Sequence, residues 1–155
     1  MIRIHSASAH CDIPCKIYDP SSFLIAALSI YRLIDLIEQE QTKNSPSSQM
    51  QIMRLVMEKE IQAKIVKEEV NIIWGDYFKE AQLNKFPETH KIVHLIMQYG
   101  SKCKQECNIE HAEMLLKHLN HFAEIFWATK GIRTEKVTAP YPPAKKVVIP
   151  VLISG

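Results

Sequence analysis

The chain has 155 residues, 46% hydrophobic and 23% charged, enough for one globular domain whose core covers about two thirds of the unfolded surface. Nineteen basic residues against seventeen acidic ones leave a formal charge of +2. No lysine or arginine block is dense enough to neutralise a row of phosphates, so nucleic acid is not favoured as a partner. The longest apolar stretch, residues 23–30, runs into Tyr31 and Arg32 and falls well short of the ~20 residues that cross a bilayer, which excludes a membrane span.

Residues 1–9 carry Arg3 and end in Ala7-Ser8-Ala9, small residues of the kind cut by a leader peptidase, but they lack the apolar core of ~7–15 residues of a secretory signal. Directly after them comes His10-Cys11-Asp12-Ile13-Pro14-Cys15-Lys16-Ile17-Tyr18-Asp19-Pro20, with one imidazole and two thiols inside six residues. Thiolate and imidazole together suit zinc, copper or nickel, and Pro14 removes a backbone donor while turning the segment between the sulfurs. The pattern predicts an N-terminal metal-binding hook.

Asp19-Pro20 is a good helix entry, because Asp accepts from an early amide and Pro is pre-set for the first helical position. The first helix is expected over residues 20–40, with Leu24, Ala27, Leu28, Tyr31 and Ile34 at helical spacing and Lys43-Asn44-Ser45-Pro46 as its end. Ser48 and Gln51 resemble a capping box opening a second, longest helix over residues 48–79. Pro87-Glu88 predicts a third helix to residue 98, stopped by Gly100, and Asn108 a cap for a fourth reaching Lys130. Four amphipathic helices on short loops describe an all-α, antiparallel up-down-up-down bundle.

From Val137 the character changes. Ala139-Pro140-Tyr141-Pro142-Pro143 is stiff, and residues 147–153 are apolar without a helical period. Such a tail tucks onto its own domain, frays, or lies across a neighbouring subunit. Four cysteines without an export signal argue for thiols rather than a disulfide framework. Cys103, Cys107 and His111, spaced by four, allow a second soft-metal site, with unpaired thiols the plainer reading.

The hook, with its pattern His10-Cys11-Asp12-x-Pro14-Cys15-x-x-Tyr18-Asp19-Pro20, resembles that of the nickel superoxide dismutase family. Three later segments match the same family in the same order: residues 74–79 (Trp-Gly-Asp-Tyr-Phe-Lys), 86–90 (Phe-Pro-Glu-Thr-His) and 125–130 (Ile-Phe-Trp-Ala-Thr-Lys). The resemblance spans about residues 10–130. It implies a leader, residues 1–9, removed by a peptidase so that His10 becomes the N-terminus, and a bundle domain over residues 10–131; residues 132–155 lie beyond it as a Pro-rich extension. A freed α-amine titrates near ~8 and can bind metal beside its own imidazole, as an amide cannot.

Carried over from the family, one nickel ion per chain would be held by the α-amine and imidazole of His10, the amide and thiolate of Cys11 and the thiolate of Cys15. It would cycle between Ni(III) and Ni(II) while superoxide becomes dioxygen and hydrogen peroxide. Anionic sulfur brings the nickel couple into a usable range, whereas zinc is redox-inert. Tyr18 would gate the site as a catalytic residue, with Asp12 and Tyr77 tying the hook to the bundle and Lys79 near the entrance. The resemblance also implies a cytoplasmic homohexamer.

Three positions depart from the family pattern. Lys16 replaces a glycine and resists positive φ. Ala26 and Gln62 stand where an acid and an arginine would support the axial imidazole, and outer partners of this kind change affinity or activity ~10–100-fold. Two rivals follow: a nickel- or copper-binding bundle without turnover, and a structural bundle with a Cys11–Cys15 disulfide.

Overall fold

The computed structural model describes residues 16–43 and 45–152, and this part of the chain is mostly helical. Helix α1 covers Ser21–Gln41 and α2 covers Pro46–Ile72. A π-helical turn, Ile73–Tyr77, continues α2 and is followed by the short α3, Glu80–Lys85. Helices α4, Thr89–Gln105, and α5, Ile109–Thr129, lead to two strands, β1 at Thr134–Thr138 and β2 at Lys146–Pro150. Helix α1 packs against α2 and α5, and α4 packs against the same two. Among the described residues, no helix is long and apolar enough to cross a membrane.

The entry to α1 follows the sequence, since Asp19 Oδ1 accepts the Ser21 amide at 2.8 Å. Helix α2 starts two residues before the expected Ser48. Ser45 is its cap, accepting the Ser48 amide at 3.1 Å, while the Ser48 hydroxyl accepts the Ser45 amide at 3.0 Å. Pro46, read as a terminator of the preceding helix, is instead the first residue of α2, where its missing N–H costs nothing.

The far end of α2 also differs. The expected helix to Lys79 stops being α-helical at Ile72, and the Phe78 amide donates to the Ile73 carbonyl five residues back at 3.3 Å. Phe78 is then extended, and α3 follows as a separate element over residues that the sequence reading left between its second and third helices.

Gly100 does not stop α4, which continues to Gln105. A Cβ at Gly100 would lie 3.1 Å from Lys67 Cγ, and Lys67 Nζ passes over to the Ser101 hydroxyl at 3.0 Å. The glycine therefore marks the close approach of a lysine stem. Lys59 of α2, 1% exposed, finishes α4: its ammonium donates to the Cys103 carbonyl, to that of Lys104 at 2.9 Å and to that of Glu106 at 3.1 Å. A cation on orphan carbonyls at a helix C-terminus is doubly favourable.

The expected all-α class needs one correction, because the tail is a β-hairpin. Strands β1 and β2 pair antiparallel, with Lys136 opposite Val148. Val147 and Val148 are buried, and Asn120 of α5 clasps β2 by donating to the Lys146 carbonyl at 2.9 Å and accepting the Val148 amide at 2.8 Å. The tail thus packs on α5 of its own chain. Lys145, beside the strand, donates to Glu113 at 2.9 Å and sits 4.3 Å from the Tyr31 ring, and with Tyr31 it holds the Glu113 carboxyl below the ordinary range.

Lys59→Met would leave three carbonyls without their donor. The expected loss is about 2–3 kcal/mol of unfolding free energy by urea titration, with the α4–α5 junction the first region to exchange amide protons.

Candidate metal-site platform

His10, Cys11, Asp12 and Cys15 lie outside the described residues, which begin at Lys16. Lys16 itself has φ 62°, the left-handed conformation that the sequence marked as costly for anything but glycine. A lysine there gives up roughly 1–2 kcal/mol relative to glycine, so the chain leaves the hook on the path a glycine would allow.

Tyr18 is half-buried and meets the ring of Tyr77, with centroids 5.8 Å apart. Tyr77 is held by the π-helical turn, which adds a residue to the end of α2 and turns its side chain onto α5. There it packs on Phe126 at 4.9 Å and, edge-on, on Phe78 at 5.4 Å. The Tyr77 and Thr129 hydroxyl oxygens are 2.6 Å apart, and the Thr129 hydroxyl donates to the Phe126 carbonyl at 2.6 Å. A hydroxyl has a single proton, so Tyr77 is the donor to Thr129.

The other matched segments reach the same place. Trp74, at the start of the turn, donates from Nε1 to His90 Nδ1 at 3.1 Å with the rings edge to face. Phe78, Phe126 and Trp127 are buried, as expected, whereas Trp74 is only half-buried and has a polar partner. Segments far apart in sequence, 18–20, 74–79, 86–90 and 125–130, thus converge through Tyr18–Tyr77, Trp74–His90 and Tyr77–Phe126–Thr129.

Lys79 is exposed and turns back to donate to the Gly75 carbonyl at 3.2 Å. A second lysine, Lys130, sits on the aromatic cluster, 4.7 Å from the Tyr77 ring centre and 5.0 Å from that of Phe126. Sequence reading missed it, although its place one residue after Thr129 in a matched segment was a usable signal. Ala26 is buried in the core, and Gln62 donates to Glu58 at 2.8 Å. Neither supplies an acid or a guanidinium.

Among the described residues, no group of three or more His, Cys, Asp and Glu side chains is arranged to hold a metal. Cys103 is fully buried, and burial pushes its thiol up to about 12, so it stays protonated. Cys107 is exposed. Cys103, Cys107 and His111 are therefore not gathered into a second soft-metal site among the described residues.

A family model described as nickel-containing superoxide dismutase matches residues 5–130. A protein of Streptomyces coelicolor named superoxide dismutase (Ni) is 32% identical over 125 residues, covering 81% of this chain and 91% of its own. One of the same name from Streptomyces seoulensis is 32% identical over 123 residues, covering 79% and 89%. The native structure of a nickel superoxide dismutase superposes with a TM-score of 0.69 at 31% identity, covering 79% of this chain and 99% of that one. Fold and sequence together define a helical metalloenzyme class. The chain belongs to the nickel-containing superoxide dismutase family.

The buried thiol gives a direct check. At pH 8, iodoacetamide is expected to modify Cys107 on the folded chain and to leave Cys103 unmodified until denaturant is added, as read by peptide mass. The stability gained by keeping Cys103 neutral is fully present below the ordinary thiol range, near 9, and is lost as pH climbs from there towards 12.

Proposed function

We propose that this chain converts superoxide to dioxygen and hydrogen peroxide at a nickel ion, one per chain, held by His10, Cys11 and Cys15. The observation that carries the proposal is the meeting of the family's matched segments around the π-helical turn, where Tyr77 packs on Tyr18, three residues after Cys15 in the chain. A nickel ion bound by two thiolates supplies a couple that takes an electron from one superoxide and returns it to another.

The chain's own residues have distinct tasks in this reading. Removal of residues 1–9 frees the amine of His10, which joins its imidazole and the thiolates of Cys11 and Cys15 as donors. Tyr18 gates the approach, its phenol able to hold a water or orient a small anion. Asp12 and Tyr77 tie the hook down. Lys130 over the Tyr77 ring, together with the exposed Lys79, makes the approach positive and favours an anionic substrate.

The proposal extends to organisation. Helices α1, α2, α4 and α5 form an up-down-up-down bundle over residues 10–131 behind an N-terminal hook, with residues 132–155 as an extension carrying the hairpin. A leader peptidase completes the site, six copies assemble, and the enzyme works in the cytoplasm. The buried Ala26 and the Gln62–Glu58 pair favour one rival, a nickel binder without turnover, because neither residue supports a metal-bound imidazole.

Protein isolated from its own host decides between them. Intact mass is expected to show a chain beginning at His10 with one nickel, and the protein to consume superoxide; Cys11→Ser or Cys15→Ser should abolish both nickel retention and activity. Nickel without activity would establish the binder, and activity with residues 1–9 retained would sink the proposed ligand set.

A further inference from the structure

Helix α2 has two apolar faces. One, with Leu55, Ala63, Val66 and Val70, is buried in the core. The other carries Met50, Met53, Met57 and Ile61, which are 66%, 64%, 67% and 50% exposed. Spacings of three, four and four put these side chains in one line, about 16 Å long at the helical rise. Single exposed apolar residues are ordinary, but four in one line on one helix mark a contact surface.

Charge selects what covers it. Along one flank of the stripe stand Arg54 and Glu58, one turn apart and both exposed. Arg54 has no hydrogen bond or ion pair among the described residues. Two copies of α2 laid antiparallel about a two-fold axis near Val56 bring Arg54 of each copy level with Glu58 of the other, on the same flank, twice. The same axis interleaves the stripe, with Met50 beside Ile61 and Met53 beside Met57 of the opposite copy. A parallel pairing would instead put the Arg54–Glu58 flanks of the two copies on opposite sides of the seam, where the charges do not meet. Methionine suits such a seam, since its unbranched chain fills irregular gaps.

We propose that the Met50–Met53–Met57–Ile61 face of α2 is the contact with a second copy of this chain, an isologous antiparallel pairing locked by Arg54 and Glu58. An anionic lipid surface would satisfy Arg54 but repel Glu58, whereas a second copy satisfies both. The contact rests on the multi-subunit reading above for the existence of more than one copy, and not on the nickel chemistry.

Sedimentation velocity on the full, nickel-loaded chain tests it. Met53→Lys with Met57→Lys is expected to halve the assembly mass with circular dichroism unchanged. Arg54→Glu alone should do the same, and adding Glu58→Arg to it should restore the wild-type mass. Six chains falling to three supports both this contact and the hexamer; two falling to one supports the contact and removes the hexamer. Six chains unmoved by any of these substitutions, or a monomeric wild type, overturns the contact.

Discussion

Tyr77 is the residue on which the rest of the arrangement depends, because the segment entering α1 and the end of α5 both meet on its ring and hydroxyl. Tyr18, from the segment entering α1, lies on one side of the ring, Phe126 of α5 lies on another, and the hydroxyl ends on Thr129. Behind it, Phe78 stacks on Phe122 at 5.5 Å, and Phe122 meets Phe23 of α1 at 5.9 Å. Aromatic pairs of this kind contribute about 0.5–1.5 kcal/mol each beyond the area they bury. The cluster therefore fixes where the chain emerges towards the hook, and it does so only because the π-helical turn re-aims the end of α2.

Much of this was legible in the sequence, for identifiable reasons. Helices α1 and α5 carry broad apolar faces, α1 is entered through the Asp19–Ser21 hydrogen bond and α5 is capped by Asn108, so their positions followed from periodicity and local chemistry. The family segments were short enough to be recognised and rigid enough to converge. What stayed hidden depended on contacts between distant residues. Nothing near Gly100 announces that a lysine stem crosses it, and nothing near Gln105 shows that Lys59 will cap the helix there, 44 residues from Cys103. The hairpin was missed because Val147 and Val148 are both buried, which breaks the alternation that betrays a strand.

The site itself divides in the same way. Residue types suggested the chemistry of His10, Cys11 and Cys15, which lie outside the described residues, while the geometry around Tyr18 and Tyr77 adds a cation, Lys130, to the Lys79 that the sequence singled out. Lys16 shows local preference giving way to the path of the chain, since a left-handed lysine is retained where glycine would be easier. Ala26 is buried in the core and Gln62 donates to Glu58, so neither position carries the acid or the guanidinium that the family pattern expects there.

The most direct test of that dependence is Tyr77→Leu on leader-free, nickel-loaded protein, comparing nickel content, helical content and superoxide consumption with the parent. The platform account predicts that helical content is kept while turnover per chain falls at least tenfold, because the outer partners of a metal site carry ~10–100-fold effects. Full turnover with normal nickel retention in that variant would contradict it.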